Sequence, residues 1–208
     1  MAERNAARRQ RTRKALLDAA GAVFVRRGYH PVRISEIVAQ AGVGQGTFYR
    51  YFNSKREVFE CLLDELVDSL LAGFADMSAS LPASASEYHR ASWQAFSTAA
   101  ALIEQQRDLV RLFLREGPAI DRDFEDKIDR VLQRFSALAR FFLEHAIEQG
   151  FARSCDPDIV SEALIGAALR LFQVRWTGRL AELPLAAIVR EGIDFAFQGI
   201  GPGGPEEG

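Results

Sequence analysis

Apolar residues recur along this chain at three- and four-residue spacing, and no run of alternating β-branched residues lasts for the length of a strand. The pattern predicts an all-α protein of about nine helices. Leu16, Ala20, Val23 and Phe24 form one stripe, which predicts a first helix from about Arg9 to Arg27 with Gly28 as its stop. Ile34, Ile37, Val38 and Ala41 predict a short second helix over 34–41. Gly42-Val43-Gly44 then predicts a tight turn, and a third short helix follows from about Gln45 to Tyr51. Ser54 and Glu57 have the S-x-x-E spacing of a capping box, which starts a fourth helix from Lys55 to about Met77. After a small, polar loop over 78–86, helices are predicted over 87–105, 107–115 and 122–149, with Gly117-Pro118 before the last of these and Gly150 closing it. Asp156-Pro157 supplies a cap and a proline at the first helical position for a helix to about Thr177. Pro184 opens the final helix, which ends near Gln198, and the Gly- and Pro-rich end over 201–208 reads as a disordered tail.

Composition narrows the class. The chain has 208 residues, 48% hydrophobic and 26% charged, which is ordinary for a globular protein with a sizeable core. No uncharged apolar stretch approaches the roughly 18–20 residues of a membrane span, and the basic N-terminus lacks an apolar signal core. Cys61 and Cys155 are too few and too far apart for a disulfide framework or zinc site, and His30, His89 and His145 are scattered. The expectation is a cytoplasmic protein with no metal and no cofactor. The net charge of −2 hides a gradient: residues 1–56 hold 12 Lys/Arg against 3 Asp/Glu, and the remainder 14 against 25. A basic head on an acidic body points the head towards a polyanion, although a solvated basic face has the same composition.

Two short helices joined by a glycine turn, under a longer first helix, describe a helix-turn-helix. In the third helix Phe48 and Phe52 lie four apart and share an inward face. At about 100° per residue the opposite face carries Gly46 and Arg50, flanked by Thr47 and Tyr49. Gly46 costs about 1 kcal/mol of helix propensity, which makes sense where the helix closely approaches another surface. The Arg50 guanidinium suits guanine O6 and N7 in a major groove. The hydroxyls of Thr47, Tyr49 and Tyr51 suit phosphate oxygens, as does Lys55 beside the free N–H groups that start the next helix.

The segment from Ala41 to Lys55, AGVGQGTFYRYFNSK, resembles the helix-turn-helix signature of the tetracycline-repressor-like (TetR) transcriptional regulators, and Ala19-Ala20, Phe24, Gly28-Tyr29 and Ile37 fit the same pattern. The resemblance covers about the first quarter of the chain. It implies a two-domain, all-α homodimer that binds a palindromic operator in double-stranded DNA, with a helix-turn-helix domain over 1–54 and an effector-binding and dimerisation domain over 55–200. On this match Gln45, Gly46, Thr47, Tyr49 and Arg50 fall where the family contacts bases and backbone, and Tyr51 and Lys55 on its phosphate contacts. The chain departs from the pattern in two places. Val32-Arg33 replaces a common Thr pair, with Arg33 as an added phosphate contact and Ser35 on a position that can reach DNA. Gly44 replaces a common Ser or Thr, so the third helix lacks a side-chain cap. The basic arm over 4–14 is either a mobile extension or a minor-groove contact.

The larger domain is rich in aromatic residues that either fill a core or line a cavity for an apolar ligand. The candidates for an effector pocket are Trp93, Phe96, Arg111, Phe113, Phe135, Phe142, His145, Phe172 and Trp176. The helix from Asp156 is apolar on two sides, which calls for burial on both. With the final stripe this marks Val160, Leu164, Ala167, Leu171, Val174, Leu185, Val189 and Ile193 as a candidate dimer interface. The reading is a homodimeric repressor, not an enzyme, released from its operator by a small, largely apolar ligand. An activator or ligand-independent regulator is the alternative. A small-molecule binding protein or enzyme without DNA binding fits less well, because the sequence offers no nucleophile–base pair, metal constellation or phosphate loop.

Overall fold

The computed structural model describes residues 2–200, and side chains over 4–199. The described residues form ten α-helices and one 3₁₀ turn, with no strand. The helices are α1 (Ala2–Arg27), α2 (Ile34–Ala41), α3 (Gln45–Phe48), α4 (Lys55–Ala72), α5 (Ala75–Ala79), α6 (Ala85–Gln105), α7 (Arg107–Glu116), α8 (Arg122–Glu148), α9 (Pro157–Trp176) and α10 (Leu185–Ile200), with the 3₁₀ turn at Gly117–Ala119. The tail over 201–208 lies outside the described residues.

The all-α expectation holds, and several ends fall where the chain signals them. Gly28, Gly42 and Gly150 take φ of 79°, 67° and 73°, the left-handed region that glycine reaches without a Cβ clash. Asp156 caps α9 by accepting the amides of Asp158 and Ile159 at 3.0 and 3.2 Å. Four boundaries differ from expectation. The fourth helix ends at Ala72 and α5 follows separately, because the amides of Gly73 and Phe74 turn back to Leu70 and Leu71, three residues earlier. A side chain at Gly73 would lie 3.2 Å from the Leu70 carbonyl oxygen. Helix α6 begins at Ala85, two residues early, on a second S-x-x-E box: Ser84 accepts the Glu87 amide at 3.2 Å and Glu87 accepts the Ala83 amide at 3.0 Å. The basic arm is a continuous part of α1, consistent with its Ala, Arg, Gln and Lys, all good helix formers. Helix α3 is a single α-turn. The Arg50 and Tyr51 amides bond three residues back to Thr47 and Phe48, so the chain tightens before Phe52.

The chain divides into two compact units. One joins the chain up to Ser69 with Gln106–Ile128; the other joins Leu70–Gln105 with the chain from Asp129. The first unit centres on Phe59, which is fully buried. Its ring lies 5.2 Å from Phe24, 4.8 Å from Tyr29, 4.7 Å from Phe113 and 5.3 Å from Phe124, centroid to centroid. These are tilted and edge contacts of the kind aromatic rings prefer. Arg56 reaches Asp121 at 2.7 Å and Lys127 reaches Asp64 at 2.9 Å, adding ion pairs between α4 and the 106–128 segment.

The second unit has a core of Phe74, Met77, Tyr88, Ala95, Phe142, Leu143, Ala146 and Ala152. Burial pushes the Tyr88 phenol up to about 12. Helix α10 packs on α6, with the Phe197 ring 5.4 Å from Tyr88 and 4.7 Å from His89. Near the end of α9, Arg175 pairs with Glu104 of α6 at 3.3 Å, and the Trp176 indole N–H donates to the same carboxylate. Arg175 also donates to the carbonyls of Leu180 and Leu183, which ties down the segment after the helix.

Candidate nucleic-acid interface

The local sequence sets α2, its turn and α3 in place. Ile37 and Val38 bury one side of α2, and Phe48 and Phe52 bury the inner side of α3 and the turn after it. Arg33 stands at the N-cap of α2, where its amide donates to Glu36 at 2.9 Å, and Arg27 pairs with the other oxygen of that carboxylate. Gly44 is the N-cap of α3 and offers no side-chain cap. Ser54 accepts the Glu57 amide at 3.1 Å, while Glu57 accepts both the amide and the side-chain N–H of Asn53. The reciprocal half of that box therefore closes on Asn53, one residue earlier than the spacing predicts.

The outward side is polar and open. Arg33, Ser35, Gln45, Gly46 and Arg50 are exposed, Thr47 and Tyr51 are half-buried, and Tyr49 is 53% exposed despite its ring. Arg50 donates to the Thr47 hydroxyl at 3.1 Å, so the two side chains lie together on one side of the helix. Among the described residues, neither Arg33 nor Arg50 pairs with a carboxylate, whereas Arg13, Lys14, Arg27 and Arg56 do. A Cβ at Gly46 would meet no atom within 4 Å. Packing inside the protein therefore does not require glycine there.

Lys55 has a different environment from its neighbours. Its ammonium donates to the carbonyls of Tyr29, His30 and Val32 at 2.9, 2.8 and 3.1 Å and lies 4.5 Å from the centre of the Tyr29 ring. All three donors are engaged, and burial lowers the ammonium below the ordinary lysine value. The α1–α2 turn meets a second charge at Glu116, whose carboxylate accepts the Tyr29 amide at 2.7 Å. Sequence reading missed Glu116, which no local pattern ties to a turn 87 residues away.

The remaining candidates are distributed as follows. Arg111 is exposed on α7 and Phe113 is buried in the ring cluster of the first unit. In the second unit, Phe142 is part of the core, Phe96 stacks edge-on against Phe74, and Phe135 is half-buried. His145 bonds to the Pro82 carbonyl at 2.9 Å, and Phe172 lies 5.7 Å from Trp176. Trp93 lines an open groove of about 350 Å³ with His89, Arg90, Arg190 and Asp194. Of the interface candidates, Val160, Leu164, Leu171, Val174, Leu185 and Val189 are half-buried, Ala167 is exposed and Ile193 is buried. Among the described residues no three His, Cys, Asp or Glu side chains gather as a metal site, and no helix is long and apolar enough to cross a membrane.

The model of the bacterial regulatory proteins of the tetR family matches residues 16–62, which span α1 to α4 and contain the helix-turn-helix described above. This head is a tetR-family helix-turn-helix. The HTH-type transcriptional activator FasR of Mycolicibacterium smegmatis is 43% identical over 65 residues, 31% of this chain and 30% of that protein. The regulator SrpR of Pseudomonas putida is 28% identical over 72% of this chain and 68% of its own length. The structure of SmeT in complex with triclosan superposes with a TM-score of 0.78 at 20% identity, covering 94% of this chain and 98% of that one. The shared fold thus extends well past the matched head.

Proposed function

We propose that the chain is a homodimeric, sequence-specific transcriptional regulator that binds a palindromic operator in double-stranded DNA and acts in the cytoplasm. The observation that carries this is the outward side of the helix-turn-helix. There Gln45, Thr47, Tyr49 and Arg50 surround Gly46, a glycine that no packing among the described residues requires. Arg50 reads a base edge, with Thr47 holding its guanidinium, and Tyr49 and Tyr51 contact phosphates. Arg33 and Ser35, exposed at the start of α2, add phosphate contacts. Around Lys55, the free amides at the start of α4 serve the phosphate while the lysine itself holds the α1–α2 turn.

Dimerisation explains α9. It is apolar on two sides, yet Ser161 is its one buried residue and Ile159 stands 69% exposed, while Phe195 on α10 stands 75% exposed. A second copy covers these side chains and sets two heads about 34–36 Å apart on successive major grooves. Regulation is repression relieved by a small, largely apolar ligand bound among the helices of the second unit; the triclosan complex of SmeT supports a ligand of that kind. Activation is the second reading, supported by the similarity of the head to the activator FasR. Neither reading involves catalysis.

In vitro selection of random duplex DNA on the full-length protein, at two salt concentrations, tests the proposal. Enrichment of a palindrome, lost in Tyr49→Ala at unchanged helical content, is the expected result. Binding without enrichment that falls steeply with salt would leave electrostatic attraction alone and overturn it.

A further inference from the structure

The turn between α1 and α2 is held by two charges from outside the helix-turn-helix. On the acceptor side of its backbone, Lys55 takes the carbonyls of Tyr29, His30 and Val32. On the donor side, Glu116 takes the Tyr29 amide at 2.7 Å. Gly28 has φ +79°, and a Cβ built there would lie 3.0 Å from both carboxylate oxygens of Glu116, so the carboxylate is seated against the glycine backbone. The Arg115 guanidinium donates to the other Glu116 oxygen at 2.7 Å. Burial opposes the charge on Glu116, but the Tyr29 amide and Arg115 outweigh it and hold the carboxyl below the usual glutamate value.

Glu116 is the last residue of α7, and one residue, Gln106, separates α7 from α6 in the chain. Resting on the DNA-binding reading above, we propose that Glu116 is a positioning residue for operator binding: its carboxylate fixes the α1–α2 turn, and withdrawal of α7 releases it. The turn sets the angle at which α2 and α3 leave α1, so a freed Tyr29 amide changes the pose of Arg50 and Tyr49 without touching either side chain. A shift of α7 by about an ångström takes a 2.7 Å bond beyond hydrogen-bond length. A ligand that displaces α7 therefore reaches the DNA-contacting helices through this carboxylate, whatever cavity that ligand occupies.

The test uses the full-length protein, its Glu116→Ala and Glu116→Gln variants, and Val67→Ala as a control that loosens α4 away from the turn. Three quantities are read: affinity for the DNA selected on the unmodified protein, hydrogen exchange at the Tyr29 amide, and the thermal midpoint. Glu116→Ala should bind about tenfold more weakly, as expected for losing a charge-assisted hydrogen bond, and its Tyr29 amide should exchange faster. Glu116→Gln, which keeps an acceptor oxygen, should fall between, and it decides the matter if the alanine variant does not fold. Val67→Ala should lower the midpoint and leave both other readings unchanged. Wild-type affinity and exchange in the Glu116 variants would overturn the proposal. An equal loss of affinity in Val67→Ala would also overturn it, since general loosening would then suffice. Failure of the unmodified protein to select any DNA would instead overturn the DNA-binding reading, and this role with it.

Discussion

The two units bury their apolar residues to different degrees. In the first, Phe59 is fully enclosed by four other rings, and the residues proposed to meet DNA lie outside that core. In the second, Leu164, Ile165, Leu171 and Phe172 on α9 are half-buried, and Ile159 and Phe195 stand largely in water. A closed core lets a surface be specialised for a polar partner, because stability no longer depends on covering it. An unclosed apolar face carries the opposite requirement, since burying it against another chain is favourable by about 25 cal/mol for each Å² removed from water.

The largest expected effect comes from opening the closed core. Phe59→Ala should cost about 3–5 kcal/mol in denaturant unfolding followed by circular dichroism. A cost under about 1 kcal/mol would show that the ring cluster is not what holds the first unit together. The converse experiment polarises the open face. Ile159→Glu with Phe195→Glu should convert a dimer to monomers in sedimentation while helical content stays constant; a persisting dimer would place the interface elsewhere. The smallest effect should appear at Gly46. Its replacement by Ala should stabilise the protein by up to about 1 kcal/mol and weaken operator binding. If stability and affinity rose together, close approach at this position would be ruled out.

Much of the helical layout was legible because its signals are local. Gly28 and Gly42 in the left-handed region and the Asp156 cap on α9 each act within a few residues of where they stand. The outward side of α3 was legible for the same reason, since Phe48 and Phe52 determine which side remains. Ser84 and Glu87 carry an equally local signal, and α6 begins on it two residues before the predicted start. The break after Ala72 was hidden by apolar spacing that continues through Gly73 to Met77. What no periodicity carries is the packing of the 106–128 segment beside the helix-turn-helix. It depends on pairs such as Arg56 with Asp121, 65 residues apart, and Tyr29 with Glu116, 87 apart. The surroundings of Lys55 are illegible for a related reason: its ammonium turns back to three carbonyls more than twenty residues earlier in the chain.

The positions of the two tryptophans have a practical consequence. Trp93, beside the open groove, and Trp176, whose indole donates to Glu104, both belong to the second unit, whereas Tyr29, Tyr49 and Tyr51 belong to the first. Emission excited at the red edge of the spectrum, where tyrosine does not absorb, therefore comes from the second unit alone. A melt recorded that way follows the second unit, whereas tyrosine absorbance also reports the first through Tyr29, Tyr49 and Tyr51, with Tyr88 of the second beside them, and Phe59→Ala is the variant in which the two curves should separate.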